Sequence, residues 1–318
     1  MNDSNPSVLV LCGGLSPERD VSIRSGRRVA EALRSQGFAV TTADVDSHLL
    51  GILSDARPDC VIPLLHGAAG EDGALADVLT SFEIPYVGST PDAARISFDK
   101  SVGKAAVRSW GLDTPPAVAL PHSMFRELGA QPLLERLVVE LGLPLVVKPT
   151  RGGSALGASI VTEAGQLPAA MVGAFAYGDV ALLESCIVGT EVAVSLYENE
   201  GELLALPPVE IVPDGGLYDY DARYTAGLTE FFCPARVSDA TASAAVELAM
   251  TVHRRMGLRD YSRVDLMIDA SGRPQFLEVD VAPGMTETSL FPLALETASK
   301  DLGTVFAGLV RAAVARGD

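Results

Sequence analysis

One stretch near the C-terminal end constrains the fold more than any other part of the chain. Apolar and polar residues alternate on both sides of a turn at residues 269–272, which predicts two antiparallel strands joined as a hairpin. Alternate side chains of a strand share a face, so Arg263 and Asp265 should point the same way, as should Glu278 and Asp280. If the strands pair, three carboxylates and one guanidinium converge on one patch of sheet. A hairpin with a solvated polar face is the alternative for this stretch taken alone.

The chemistry of this patch suggests a metal ion next to an anion. Hard cations such as Mg²⁺ prefer oxygen ligands, usually a few carboxylates together with phosphate oxygens. The turn that ends the second strand, Pro283–Thr286, offers backbone N–H groups to an anion, and Ser289 and Leu290 open a helix.

Bulk properties limit the class of protein. A chain of 318 residues is long enough for two or three domains with their own cores. A net charge of −17 argues against binding to nucleic acid or to an anionic membrane surface. The four cysteines are far apart, and the first apolar run, Val8–Cys12, is too short for a signal peptide or a membrane span. We therefore expect a cytoplasmic protein with reduced thiols.

The N-terminal part has the pattern of an α/β unit. The run Val8–Cys12 predicts a buried parallel strand, and a glycine-containing loop and a helix from Ser22 to Gln36 follow it. Further strands are predicted at Ala39–Ala43 and Cys60–Leu65. Glu18 and His66 follow strand ends, where ligands bind in open α/β sheets. A capping or core role is the alternative for a lone histidine, and the incomplete G-x-G-x-x-G pattern makes dinucleotide binding a weak expectation.

The middle of the chain places two lysines near a loop of small residues. Lys100 opens a predicted helix that reaches Trp110, and Lys148 lies near the end of a predicted strand, Leu143–Pro149. The loop Thr150–Gly157 follows, and such a loop can fold over phosphates with its N–H groups. It lacks the Walker A ending, and an ordinary hairpin loop is the alternative. Further elements are predicted as strands at 180–187 and 191–197 and as helices at 240–256 and 302–314.

Together these motifs resemble the D-alanine–D-alanine ligase family of the ATP-grasp superfamily. The resemblance covers nearly the whole chain and rests on Gly13–Arg19, His66–Gly73, Ile84–Ser89, Asp99–Lys100, Val147–Pro149, Tyr218–Tyr224, Arg263–Asp265 and Pro283–Leu290. It implies an α/β protein of the ATP-grasp fold, with a Rossmann-like domain and two ATP-grasp α+β domains that clamp ATP. The implied domains are an N-terminal Rossmann-like domain at 1–96, a central ATP-grasp subdomain at 97–184 and a C-terminal ATP-grasp domain that binds metal and substrate at 185–318.

The resemblance also implies an activity and its residues. Two D-alanines would be joined at the expense of ATP through an acyl phosphate, for peptidoglycan synthesis, by a homodimer. Catalytic roles are implied for Glu18, Ser154, Tyr224, Arg263 and Gly284. Nucleotide binding is implied for Lys100, Lys148, Glu184, Cys186, Ile187, Glu191 and Arg223. Substrate binding is implied for Glu18, Val21, His66, Arg263, Gly284, Ser289 and Leu290. Two Mg²⁺ ions, replaceable by Mn²⁺, would be held by Asp265, Glu278 and Asp280.

The chain departs from the family pattern at four positions. Asp280 stands where the family usually has asparagine, which adds a negative charge at the metals. Ala155 replaces a serine of the usual Gly-Ser-Ser motif, Arg223 replaces a lysine, and Asp20 replaces a glutamate. These departures leave ATP-dependent ligation as the expectation but put the identity of the substrates in question.

Two other functions compete with this interpretation. One is a related ligase that joins a different pair of amino acids in a specialised biosynthetic pathway. The other is a nucleotide-binding pseudoenzyme with a regulatory role. A pseudoenzyme that catalyses no reaction has no chemical need to keep these cations and metal ligands together: Lys100, Lys148, Asp265, Glu278 and Arg263. It is therefore the weaker alternative.

Overall fold

The computed structural model describes residues 5–215, 218, 222–223, 225 and 227–317. Its N-terminal strands are β1 (Ser7–Leu11), β2 (Ala39–Ala43) and β3 (Cys60–Pro63), which form a parallel sheet in the order β2–β1–β3. The predicted buried first strand is confirmed, since residues 8–11 are all buried. The third strand is two residues shorter than predicted because the chain leaves the sheet after Pro63.

Five helices surround this sheet. The first begins at Arg19 rather than at Ser22, because the chain already turns into the helix directly after Glu18. The five are α1 (Arg19–Ser35), α2 (Leu49–Ala56), α3 (Ala68–Glu71), α4 (Ala74–Ser81) and α5 (Pro91–Phe98).

The central part of the chain forms an antiparallel sheet with helices packed against it. Its strands are β4 (Ala117–Pro121), β5 (Leu145–Pro149), β6 (Ser159–Val161) and β7 (Val180–Ser185), in the order β4–β7–β5–β6. Its helices are α6 (Lys100–Ser109), α7 (His122–Leu128), α8 (Ala130–Leu141) and α9 (Leu167–Phe175). Helix α6 starts at Lys100 because the side chain of Asp99 caps it, accepting from the N–H groups of Ser101 and Val102 at 3.0 and 3.3 Å.

The C-terminal sheet carries the predicted hairpin, which is confirmed. Its strands are β8 (Gly189–Asn199), β9 (Glu202–Ala205), β10 (Val209–Pro213), β11 (Thr229–Phe232), β12 (Tyr261–Asp269) and β13 (Pro274–Asp280). They follow the order β11–β10–β8–β12–β13, with β9 paired to β8. The remaining helices are α10 (Asp239–Arg255), α11 (Leu290–Thr297) and α12 (Leu302–Arg316).

Strand β12 lies between β8 and β13 and has two chemically different faces. Val264, Leu266 and Ile268 are buried in an apolar core together with Leu248 and Val252 of α10. The opposite face carries Arg263 and Asp265, as the alternation predicts. Burial of the apolar face fixes the register, because a slip of one residue would turn the charged side chains into the core.

The last helix returns to the first domain. Val29 and Leu33 of α1 share a core with Phe306, Leu309 and Val310 of α12. The N-terminal and C-terminal parts of the chain are therefore packed together through apolar contacts. Among the described residues, no helix combines the length and the apolar character needed to cross a membrane.

A buried ion pair reinforces this packing. The side chain of Asp260, which is fully buried, accepts from both terminal nitrogens of Arg316 at 2.8 and 2.9 Å and from the N–H of Gly88 at 2.7 Å. Three separate parts of the chain therefore meet at one carboxylate.

We expect that Arg316→Met lowers the free energy of unfolding by about 3 kcal/mol, because Asp260 would stay buried without its counter-charge. Urea unfolding measures the change. The matched control is Arg136→Met, which breaks an exposed ion pair with Glu140 on α8 and should cost less than about 1 kcal/mol. Equal losses in the two variants would contradict the importance of the buried pair.

Candidate active site

Two clefts meet in the middle of the molecule. Their empty volumes are about 840 Å³ for the first and 850 Å³ for the second. Both clefts are lined by Lys100, Gly152, Gly153, Tyr218, Arg223 and Glu278. Because the clefts share these residues, a molecule bound in one can contact a molecule bound in the other.

The residues implied by the resemblance divide between the two clefts, except that Lys100, Arg223 and Glu278 line both. Those expected to bind substrate line the first cleft: Glu18, Val21, His66, Arg263, Gly284, Ser289 and Leu290. Those expected to bind the nucleotide line the second cleft: Lys100, Lys148, Glu184, Cys186, Ile187, Glu191 and Arg223. Of the three expected metal ligands, Asp265 lines the second cleft, Asp280 the first, and Glu278 both. Tyr224 lies outside the described residues.

The hairpin register brings the charged side chains of the junction together. Arg263 lies opposite Asp280 across the two strands, and Asp265 lies opposite Glu278. Arg263 donates to both oxygens of Asp265 at 2.7 and 2.8 Å and approaches Asp280 at 3.2 Å. The expected convergence of three carboxylates and one guanidinium on one face is thus observed, with the guanidinium between two of the carboxylates.

The carboxylates are held by cations. Glu278 pairs with Lys100 at 2.8 Å. Burial acts to raise the pKa of Glu278, but the charges of Lys100, Lys148 and Arg223 outweigh it and hold that pKa well below its usual range. Across the described ranges, no three His, Cys, Asp or Glu side chains are grouped as metal ligands.

The small-residue loop closes over the junction. The backbone N–H of Lys100 donates to the carbonyl of Thr150 at 2.8 Å, and the Lys100 ammonium donates to the carbonyl of Gly152 at 2.7 Å. The hydroxyl of Ser154 donates to the carboxylate of Glu18, so the loop also contacts the N-terminal domain. The expected link between Ser154 and Glu18 is therefore present.

Glu18 and His66 form the polar end of the first cleft. Glu18 is buried, and glycines 67 and 153 lie so close that a Cβ at Gly153 would come within 2.9 Å of its carboxylate. His66 is also buried, and its Nε2 has no hydrogen-bond partner among the described residues. Burial is the largest effect on the pKa of His66 and lowers it, although the charges of Asp280 and Glu18 act the other way. A buried carboxylate beside a neutral imidazole is suited to an ammonium ligand.

The turn Pro283–Thr286 lies at the other end of the first cleft. A Cβ at Gly284 would come within 2.8 Å of the Ser289 hydroxyl, so only glycine lets the backbone approach this closely. The N–H of Thr286 donates to the same hydroxyl at 3.0 Å, and Ser289 is the N-cap of α11. Arg28 of α1 donates to the carbonyl of Thr286 at 2.6 Å and holds the turn against the N-terminal domain.

A carboxylate between two lysines forms the inner wall of the second cleft. One oxygen of Glu184 pairs with Lys148 at 2.5 Å and the other pairs with Lys104 at 2.7 Å. Burial acts to raise the pKa of Glu184, but the two ammonium charges lower it to about 2. Burial likewise acts to lower the pKa of Lys148, but Glu184 and Glu278 outweigh it and raise that pKa. Lys148 is therefore charged at neutral pH.

Not every backbone group of Cys186 and Ile187, which were expected to bind the nucleotide, is available to a ligand. The N–H of Cys186 donates to the carbonyl of Pro144 at 3.0 Å, so this amide is already used within the protein. Farther along the cleft, burial raises the pKa of Glu191 to about 7, against the charge of Arg223. Arg223 stacks over the ring of Tyr218, 4.2 Å from its centroid, and donates to the Tyr218 carbonyl at 3.1 Å.

Sequence reasoning assigned no role to two titratable residues here, the half-buried Glu71 and the buried Lys104. Glu71 lines the first cleft and accepts from the N–H of Gly67 at 2.7 Å, and burial raises its pKa well above the usual value. Glu71 belongs to the motif His66–Gly73, but helix α3, which carries it, is too short to show a helical periodicity in the sequence. Lys104 lies four residues after Lys100, and this spacing alone places both on one face of α6.

Comparison with protein families agrees with this geometry. The family model described as "D-ala D-ala ligase C-terminus" matches residues 106–313. The chain is 38% identical over 307 residues to a D-alanine--D-alanine ligase of Pelotomaculum thermopropionicum, covering 96% of each chain. It is 41% identical over 285 residues to the D-alanine--D-alanine ligase of Anaeromyxobacter dehalogenans, covering 90% of this chain and 89% of that one.

Solved structures are similar over almost the whole chain. A D-alanine--D-alanine ligase from Bacillus anthracis matches with a TM-score of 0.82 and 26% identity, covering 98% of both chains. The VanG D-Ala:D-Ser ligase from Enterococcus faecalis matches with a TM-score of 0.83 and 25% identity, covering 98% of this chain and 100% of that one. The similarity thus extends to a ligase named for D-alanine and D-serine.

The Glu184 cluster predicts a pH-dependent contribution to stability. Glu184→Gln should lower the free energy of unfolding by about 3 kcal/mol at pH 7, because two buried ammonium groups lose their counter-charge. The pKa of Glu184 lies near 2 in the folded protein and near its ordinary 4.5 in the unfolded chain. The difference between the proteins should therefore be constant between about pH 5.5 and 7 and shrink as the pH falls through 4.5 towards 2.

Urea unfolding at several pH values measures this difference. Glu135→Gln, which removes an exposed carboxylate from α8, serves as the control and should change little at any pH. A loss for Glu184→Gln that stays constant down to pH 3 would contradict the prediction.

Proposed function

The chain belongs to the D-alanine–D-alanine ligase family, and on that basis we propose how its two clefts join two D-alanines at the expense of ATP. The observation that carries the proposal is the division of charge between the clefts. Cations and small-residue loops line the second cleft, and a buried carboxylate lies at the end of the first. ATP and an amino acid have charges that match these two surfaces.

ATP occupies the second cleft in this proposal. Lys100 and Lys148 neutralise its phosphates, and the N–H groups of the loop Thr150–Gly157 add donors to the same oxygens. Adenine lies beside Glu184 and meets the carbonyl of Cys186 and the N–H of Ile187, since the N–H of Cys186 is used by Pro144. The ribose hydroxyls lie near Glu191. The shared wall then places the terminal phosphate at the junction with the first cleft.

The first D-alanine lies between the two ends of the first cleft. Glu18 accepts from its ammonium, with His66 beside it, and its carboxylate extends towards Arg263 and the N–H of Gly284. A carboxylate oxygen attacks the γ-phosphorus, the bond to the ADP oxygen breaks, and an acyl phosphate forms. Arg263 stabilises the oxyanion that develops at the carbonyl during the second step.

The second D-alanine approaches along the turn that precedes α11. Its carboxylate is received by Ser289 and the backbone of Leu290 at the N-terminus of that helix. Its amine loses a proton and attacks the carbonyl carbon of the acyl phosphate, and phosphate leaves as the peptide bond forms. Ser154 donates to Glu18 and closes the site on that side, which excludes water from an intermediate that water would hydrolyse.

The residues at the junction fit Mg²⁺ as well as ATP. Asp265, Glu278 and Asp280 supply only oxygen ligands, and they line the part of the wall where the phosphates of ATP would end. Glu278 would exchange its pairing with Lys100 for the ion, which releases the lysine towards a phosphate. When bound, Mg²⁺ neutralises charge on the phosphate oxygens during transfer.

Cellular context follows from the activity and the composition. Joining two D-alanines supplies the dipeptide for peptidoglycan synthesis. Four free cysteines support a cytoplasmic location. The homodimer rests on the family resemblance alone.

We expect that the protein releases phosphate from ATP when D-alanine is present and not when L-alanine replaces it. In this proposal Glu18 fixes the ammonium and Arg263 and Gly284 fix the carboxylate, so the cleft wall at Val21 and His66 accepts the methyl group of one enantiomer only. Phosphate release over a panel of D- and L-amino acids, with products separated by mass, measures this selectivity. D-serine and D-lactate test a different second substrate. A strong preference for an L-amino acid, or a product that is mostly the ester of D-lactate, would contradict the proposed function.

Asp280→Asn should raise the Mg²⁺ concentration for half-maximal rate by up to roughly tenfold, about 1.4 kcal/mol, because it removes one ligand charge and keeps one oxygen. A magnesium titration of the steady-state rate measures the shift. Asp239→Asn removes a carboxylate from the exposed start of α10 and should leave the titration unchanged. An unchanged titration for Asp280→Asn would show that Asp280 does not bind the metal.

A further inference from the structure

Lysine is rare in this chain, and its distribution is uneven. Lysine and arginine together number 24, but only four are lysines, at positions 100, 104, 148 and 300. Three of these four lie at or directly behind the second cleft. A compact ammonium can be buried as a point charge in a space that a planar guanidinium would not fit, so these positions favour lysine for a physical reason.

The ammonium of Lys104 is completely enclosed. It donates to Thr114 at 3.0 Å and to the carbonyl of Phe276 at 3.2 Å, and it pairs with Glu184 at 2.7 Å. The contacts with Thr114 and Phe276 are hydrogen bonds, and the contact with Glu184 is an ion pair. Lys104 is not among the residues that line the two clefts in the described part of the chain, and it therefore cannot touch a nucleotide there.

The net charge of the cluster formed by Lys104, Glu184 and Lys148 depends on Lys104. Glu184 carries one negative charge and divides its two oxygens between Lys148 and Lys104. With Lys148 alone, the pair would be neutral and would offer little attraction to a polyphosphate. With both lysines, the cluster carries a net charge of +1, and Lys148 is the member that lines the second cleft.

We propose that Lys104 is a positioning residue for the nucleotide. It holds Glu184 by its second oxygen and supplies the charge that leaves Lys148 positive towards the phosphates. Its contact with Phe276 also fixes β13, two residues before Glu278, against α6. This inference rests on the proposed binding of ATP in the second cleft. It does not depend on the identity of the amino-acid substrates.

Nucleotides with different numbers of phosphates separate this role from a purely structural one. Lys104→Met keeps most of the apolar side chain and removes the ammonium with its charge. Calorimetric titration without Mg²⁺ should show the dissociation constant of ATP rising at least tenfold, and that of AMP less than threefold. An equal loss for both nucleotides, or no loss for ATP, would overturn the proposal.

Two controls separate charge from packing. Thr114→Val removes a neighbour that bonds both Lys104 and the carbonyl of Phe276, without changing any charge, and it should weaken ATP and AMP equally or not at all. Lys300→Met removes a charge from an exposed position and should change neither constant. A Thr114→Val variant with the same loss confined to ATP would contradict the role of the charge.

The native protein provides a test if Lys104→Met does not fold. Burial lowers the pKa of Lys104 to about 8, aided by the charge of Lys148 and opposed by Glu184 and Glu278. The other three facing groups keep their charge between pH 7.5 and 9.5, since the pKa values of Glu184 and Glu278 are lowered and that of Lys148 is raised. Affinity for ATP relative to AMP should therefore fall severalfold across this range. A constant ratio would overturn the proposal.

These measurements are independent of the ligase reaction. They use nucleotide alone, so a protein that binds ATP through Lys104 but shows no dependence on D-alanine would refute the proposed substrates and leave this inference intact. A protein with D-alanine-dependent activity whose Lys104→Met variant has an unaltered dissociation constant for ATP would refute this inference and leave the proposed substrates intact.

Discussion

The register of the hairpin between β12 and β13 is the constraint on which the site depends. Val264, Leu266 and Ile268 are buried on one face, so the opposite face must carry Arg263 and Asp265. Pairing with β13 then fixes Asp280 and Glu278 opposite them. A slip of one residue would expose the core face and bury the charges, which would cost far more than a typical domain can spare. Burial of the apolar face thus fixes the positions of the charged side chains on the opposite face.

The clefts exist because separate parts of the chain are held against each other. The last helix packs on the first helix through Val29, Phe306 and Val310. Asp260 adds a charged contact between Gly88 and Arg316 at the same boundary. Ser154 reaches Glu18 from the central sheet. Each of these contacts brings a wall of the first cleft into place, so the integrity of the site depends on contacts far along the sequence.

Buried charge is the most costly feature of this arrangement, and its placement agrees with function. Lys104 and Glu184 are removed from water and Lys148 is largely so, and such groups seldom improve stability over apolar residues of the same size. A protein under selection for stability alone would gain from replacing them. Their position at the wall of the second cleft explains why they are kept, since an ordered positive charge that needs no reorganisation attracts a phosphate more strongly than a mobile one.

The sequence by itself determined the strands and helices and which polar residues lie at their ends. Alternation predicted the hairpin and the face that carries Arg263, and the apolar run predicted β1. A strand end and a small-residue loop made Glu18 and Lys148 candidate site residues. The strong signals were local, because the period of a strand or helix is set by neighbouring residues. Only the tertiary structure decided which ends face each other. It divided the site residues between two clefts, used the N–H of Cys186 internally, and placed Lys104 behind Glu184. Such contacts join residues far apart in the sequence, 42 positions for Cys186 and Pro144 and 80 for Lys104 and Glu184, and no local pattern encodes the distance between them.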